Sequence, residues 1–142
     1  MNKMRILFLC TGNACRSQMA EGWARHIHGD KFQVNSAGII KQGLDKRAEL
    51  VMAEAWVNIS GQWSKTIDDL PNHDFDVVIT LCDSAKESCP YFPGRITRLH
   101  KGFDDPPGLA MGATDEERAL MPYRRVRDEI KEFVKGLPDI LE

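Results

Sequence analysis

Ile6-Leu7-Phe8-Leu9-Cys10-Thr11-Gly12-Asn13-Ala14-Cys15-Arg16-Ser17 passes from an apolar run, through a short polar loop, into a helical pattern. A cysteine, five intervening residues and an arginine form a loop suited to gripping a tetrahedral oxyanion. Backbone N–H groups of Thr11, Gly12, Asn13, Ala14, Cys15 and Arg16 can turn inward as a nest, and the Arg16 fork adds charge-assisted hydrogen bonds. The following helix directs its N-terminal dipole at the same point. Such a field is expected to hold Cys10 as a thiolate. One loop would then bind an anion and present a nucleophile to its central atom.

Working outward, Met4–Cys10 reads as a central parallel strand covered on both faces, because it is almost continuously apolar. Met19, Ala20, Trp23, Ala24 and Ile27 recur at helical spacing. Residues 32–37 read as a second strand ending at Gly38. Asp45 is placed to cap a helix whose Ala48, Val51, Met52 and Ala55 face inward. Residues 75–81 and 95–99 read as third and fourth strands. Thr114-Asp115-Glu116-Glu117 matches a capping box, so a helix is expected to start at Thr114. Pro122 is expected to interrupt it. Val126, Ile130, Phe133, Val134 and Leu137 mark a C-terminal helix. This alternation predicts one α/β domain over residues 1–142, a four-stranded parallel sheet with helices on both faces. Ligands in such sheets bind beyond the carboxyl ends of the strands. Cys10 and Cys82 both end strands there, so they are expected to share a cleft.

The chain has 142 residues and a net charge of −2, which gives no general attraction to nucleic acid or membrane. No apolar run approaches the roughly 18 residues of a spanning helix. The N-terminus does not read as a signal peptide. Four cysteines in that setting read as cytoplasmic thiols rather than a disulfide framework. The histidines lack metal-ligand spacing, and no metal site is expected. Trp23, Trp56 and Trp63 read as core or interface residues, and Arg124, Arg125 and Arg127 as the solvated face of the last helix.

The loop at 10–17, taken with Asp105-Pro106, resembles the low-molecular-weight tyrosine phosphatase superfamily. With Cys82, Cys89, Ser36-Ala37-Gly38, residues 78–82, residues 103–106 and residues 125–130, the chain is similar to its thioredoxin-coupled arsenate reductases over nearly the whole length. The resemblance implies that arsenate, like phosphate or sulfate, docks in the loop at 11–16. Cys10 then attacks arsenic, Cys82 attacks Cys10, and Cys89 attacks Cys82. Reduced thioredoxin restores the dithiol. It implies Asp105 as general acid to the leaving oxygen, in preference to Asp104, and a cytoplasmic enzyme, expected as a monomer, without a bound cofactor.

Two other readings stay open on the residues alone. The same loop and acid, without Cys82 and Cys89, would make a phosphatase. A non-catalytic oxyanion-binding or redox-sensing module would use Cys82–Cys89 only as a switch. Pro106-Pro107-Gly108-Leu109 lacks the aromatics expected beside a phosphotyrosine ring.

Ser17 is read as an N-cap or as a hydrogen-bond partner of the Cys10 thiolate. Gly12 and Asn13 are read as shaping the loop, and Cys15 as loop packing or an oxidative partner of Cys10. Asn13, Glu21 and Ser36 match positions that bind a potassium ion in some relatives. Lys65 stands where those relatives have an aspartate, so its ammonium is expected either to replace the ion or to be a solvated surface group. Should residues 82–89 be helical, their ends would lie ~10 Å apart. A disulfide tolerates at most ~7 Å between Cα atoms, so closing one requires unwinding. Pro90 is expected to limit that helix. Residues 107–123 exceed the family's usual connection and suggest no role.

Overall fold

A computed structural model describes residues 3–141 apart from 90, 91 and 93. The expectation placed on Pro90 therefore lies outside the described residues. Elements follow in the order β1 (Met4–Cys10), α1 (Arg16–His28), β2 (Phe32–Gly38), α2 (Lys46–Glu54), β3 (Val77–Thr80), α3 (Asp83–Glu87), β4 (Thr97–His100), α4 (Pro106–Ala110), α5 (Glu116–Lys135) and α6 (Leu137–Ile140). A 3₁₀ turn, Ile67–Asp69, precedes β3. The four strands form one parallel sheet in the order β2-β1-β3-β4.

The pleat of β1 divides the core. Ile6 and Phe8 face α1, α2 and α5, joining Val34, Val77, Ile79, Met19, Trp23, Val51, Val126 and Ile130. Leu7 and Leu9 face the other side, with Val78, Ala85, Leu70, Phe75 and Phe92. The second side has a thin cover, since α3 has five residues and the remainder is the 3₁₀ turn and irregular chain. Cys10 and Cys82 both belong to that thinly covered side.

Several expectations need correction. β3 and β4 are four residues each, shorter than residues 75–81 and shifted from residues 95–99. Asp115, not Thr114, caps α5, accepting from the Arg118 N–H; Thr114 Oγ1 instead accepts from the Arg118 guanidinium. Pro122 does not interrupt α5, which runs unbroken for 20 residues. The proline forgoes one hydrogen bond to the Arg118 carbonyl. The buried stripe Ala119, Leu120, Tyr123, Val126, Ile130 and Val134 holds the helix regardless. Residues 107–123 supply α4 and the first turns of α5. Tyr123 donates to Asp45 Oδ2 at 2.7 Å, and Arg47 pairs in a fork with Glu116, so this stretch ties α5 to the capped start of α2.

Arg124 and Arg127 are not a solvated face. Both reach Glu54 across the α2–α5 contact, and Arg127 also donates to the Val51 carbonyl at 3.0 Å. Trp23 is buried, with its indole N–H on the Arg127 carbonyl, whereas Trp56 and Trp63 are exposed. Ala55 ends α2 as its C-cap and is half-buried.

Candidate active site

The loop between β1 and α1 is tied down by its carbonyls. Those of Cys10, Thr11, Gly12 and Ala14 accept from the N–H groups of Ile39, Ile40, Gln42 and Asp45. With the carbonyls engaged outward, the N–H groups of residues 12–16 donate to no acceptor among the described residues. That is the geometry of an anion nest, with the first turn of α1 behind it. Asn13 makes the turn in the left-handed region, at φ 49°. A Cβ at Gly12 would lie 2.1 Å from Gln42 Oε1, and one at Gly38 only 2.3 Å from the Ile40 carbonyl. Gly38 is thus required, because the backbone itself approaches there, whereas the exposed Gln42 side chain could swing away from a Cβ at Gly12. Gly38 was legible only as a strand end.

Asn13 is the hub beneath the loop. Its Nδ2 donates to Ser17 Oγ (2.8 Å) and Ser36 Oγ (2.9 Å), and its Oδ1 accepts from Lys65 N (2.9 Å) and Gln18 Nε2 (3.0 Å). Ser17 is buried and is not the N-cap. Cys15 holds that position, and the Ser17 hydroxyl meets Asn13 rather than Cys10. Ser36 Oγ donates to Glu21 Oε1 at 2.5 Å, and Lys65 Nζ lies 3.5 Å from the same oxygen and 3.1 Å from the Trp63 carbonyl. Lys65 is 5% exposed, so it is no solvated surface group. Burial lowers its pKa, against the opposing pull of Glu21. The four residues expected near a cation, Asn13, Glu21, Ser36 and Lys65, form one connected cluster.

Above the loop, Cys10 Sγ and Cys82 Sγ are 3.7 Å apart, although 72 positions separate them in sequence. Thr11 Oγ1 lies 3.2 Å from Cys82 Sγ. Both cysteines are free thiols, as are Cys15 and Cys89. In this arrangement Cys82 competes with the loop for the charge expected at Cys10. Cys10 donates to Cys82, and this bond together with burial pushes its pKa well up, outweighing Arg16. Cys82 accepts from Cys10 and Thr11, which lowers it to about 5. Two sulfurs in contact disfavour two negative charges, so the pair shares one and the two thiols shift in opposite directions.

Arg16 is mostly buried and donates to the Phe103 carbonyl at 3.0 Å, while its other terminal nitrogen lies 3.6 Å from Asp105 Oδ1. Asp104 instead pairs with Arg125 at 2.9 Å, away from the loop. Of the two aspartates, Asp105 is the one beside Arg16. It stands at the N-cap position of α4, with Pro106 as the first helical residue. Cys15 packs in the core on the α1 side, on the opposite face of the sheet from Cys10. Cys89 follows α3, is half-buried, and accepts from Arg98 Nη1 at 3.2 Å. Arg98 carried no signal in the sequence, since β4 is a short edge strand of mixed polarity. Among the described residues, no group of His, Cys, Asp and Glu could hold a metal ion, and no helix is long and apolar enough to cross a membrane.

Comparison with known proteins places nearly the whole chain in one family. Residues 5–142 match the low molecular weight phosphotyrosine protein phosphatase family. An arsenate reductase of Bacillus licheniformis is 50% identical over 135 residues, covering 95% of each chain. One of Bacillus subtilis is 47% identical over 139 residues, covering 95% of this chain and 98% of its own. An arsenate reductase solved in its phosphate-binding state superposes with a TM-score of 0.77 at 31% identity, over 98% of this chain and 99% of the other. A low molecular weight protein tyrosine phosphatase of T. tengcongensis does so with a TM-score of 0.74 at 26% identity, over 96% and 99%.

Proposed function

The chain belongs to the low molecular weight phosphotyrosine protein phosphatase family, and within it we propose that this protein reduces arsenate to arsenite by a relay through Cys10, Cys82 and Cys89. The observation that carries the reading is the Cys10–Cys82 contact of 3.7 Å at the mouth of an anion loop. A phosphatase completes its cycle with water and needs no second sulfur. Reduction of As(V) needs two electrons, and a dithiol becoming a disulfide supplies them.

Arsenate occupies the nest of residues 11–16, with Arg16 turned from Phe103 and Asp105 onto its oxygens. Cys10 reacts from the form in which the shared proton has left its sulfur. Its thiolate attacks arsenic, and an arsenic–oxygen bond breaks as Asp105 gives the leaving oxygen a proton, releasing water. Cys82, as thiolate, attacks Cys10 Sγ. The sulfur–arsenic bond breaks with its electron pair going to arsenic, which leaves as arsenite, and Cys10–Cys82 forms. Cys89 thiolate attacks Cys82 Sγ and expels Cys10 as thiolate, giving Cys82–Cys89. Reduced thioredoxin then returns two electrons by thiol exchange.

The potassium ion of some relatives is replaced in this reading by the Lys65 ammonium. Support comes from its burial beside Glu21 and beneath Asn13. A positive side chain there balances the Glu21 charge without a metal.

The experiment is turnover of arsenate by the purified protein with thioredoxin, its reductase and NADPH. Cys10→Ser is expected to abolish both arsenate reduction and hydrolysis of a small aryl phosphate. Cys82→Ser and Cys89→Ser are each expected to stop arsenate turnover while leaving aryl phosphate hydrolysis, which needs Cys10, Arg16, Asp105 and water. Normal arsenate turnover by either variant would overturn the relay.

A further inference from the structure

Arg98 has no part in the steps above, yet its guanidinium touches a sulfur that reacts. Its Nη1 lies 3.2 Å from Cys89 Sγ. The same guanidinium sits 5.9 Å from the centre of the Phe92 ring, which is buried against Phe75. Arg98 belongs to β4, part of the sheet rather than of the α3 segment. Lys86 and His100 are among the residues lining a cavity of about 230 Å³ beside Cys89 and Arg98. Cys89 thus faces the Arg98 guanidinium on a strand of the sheet, while the α3 segment between it and Cys82 is short and mostly exposed.

We propose that Arg98 is the charge partner of Cys89, stabilising its thiolate and holding its sulfur on the sheet side while residues 82–89 rearrange. This role rests on the relay reading. The second exchange moves one negative charge along the chain of sulfurs. Cys89 begins as thiolate and ends in the disulfide with Cys82; Cys10 begins in the disulfide with Cys82 and ends as thiolate. Arg16 stands by the sulfur where the charge finishes, and Arg98 by the sulfur where it starts. A neighbouring guanidinium favours the thiolate, the only form of cysteine that attacks a disulfide. No signal in composition or spacing points to Arg98, because the contact is made by tertiary packing.

The test is a quenched single turnover. Fully reduced protein is mixed with arsenate in the absence of thioredoxin, quenched with alkylating agent, and its disulfides are mapped by mass spectrometry. In Arg98→Met, formation of Cys10–Cys82 and the burst of arsenite are expected at the wild-type rate. Conversion to Cys82–Cys89 is expected to slow by roughly tenfold, the loss of one charge-assisted hydrogen bond. Arg98→Lys, which keeps the charge but not the planar fork, is expected to recover most of that rate. Conversion at the wild-type rate in Arg98→Met would overturn the role. So would an Arg98→Lys as slow as Arg98→Met, because stacking on Phe92 would then be what matters. A wild-type protein that releases arsenite but never forms Cys82–Cys89 would instead overturn the relay itself, and this role with it.

Discussion

Replacing Asn13 by alanine is expected to destabilise the protein by about 4 kcal/mol and to weaken anion binding. The side chain is fully buried and makes four hydrogen bonds to Ser17, Ser36, Lys65 and Gln18, all between 2.8 and 3.0 Å. Each is worth about 1 kcal/mol net. Water entering the vacated space recovers some of this, leaving about 3 kcal/mol. Asn13 also sits at φ 49°, where a Cβ without a compensating polar group costs about 1–2 kcal/mol. Asn13→Gly separates the two effects, because glycine accepts that φ freely but still loses the hydrogen bonds. It pays back part of the gain through greater freedom when unfolded. Asn13→Gly is therefore expected to be more stable than Asn13→Ala by about 1 kcal/mol. Urea unfolding at constant slope, with and without saturating phosphate, measures both, and phosphate is expected to stabilise the variants less than the wild type. An Asn13→Ala within about 1 kcal/mol of wild type, or less affected than Asn13→Gly, would refute the hub described here.

Two further outcomes follow from the site. Lys65→Asp places a second carboxylate beside Glu21 and Ser36, so its thermal stability is expected to rise with added potassium more than with equal sodium, while the wild type shows no such difference; equal responses in the two proteins would remove Lys65 from the role of built-in cation. Oxidation to Cys82–Cys89 is expected to loosen residues 82–89 with the sheet intact, because the helix α3 (Asp83–Glu87) separates the two cysteines and only its Ala85 is buried. Amide hydrogen exchange on reduced and oxidised protein reads this directly, and equal protection of the segment in both states would contradict it.

The strands and helices of the α1 side were legible because their apolar spacing matches their burial, as in Met19, Trp23, Val51, Val126 and Ile130. The ends of elements were less so. Thr114 and Asp115 are both good caps, and local sequence does not say which of them the packing of α5 selects. Pro122 is a helix breaker by local rule, but the buried stripe on either side of it is a tertiary effect. The loop and Arg16 could be placed from their spacing, the shared cleft of Cys10 and Cys82 because strand ends in a parallel sheet converge, and Asp105 only through the family resemblance. The charge on the sulfurs could not. The loop field favours a thiolate at Cys10, yet a second thiol within contact competes for the charge, and that depends on a contact between residues 72 positions apart. Arg98, Gly38 and the burial of Lys65 are likewise consequences of packing between distant segments.

The central claim is that arsenic is reduced by electrons from this chain's own cysteines. The direct measurement is the yield of a reaction without thioredoxin. Fully reduced protein is incubated with excess arsenate, arsenite is counted, and the final disulfide is mapped. The account predicts one arsenite per chain, a halt, and Cys82–Cys89 as the product, with Cys10 again open to alkylation. Absence of arsenite, or its release while Cys82 and Cys89 both remain thiols, would contradict it.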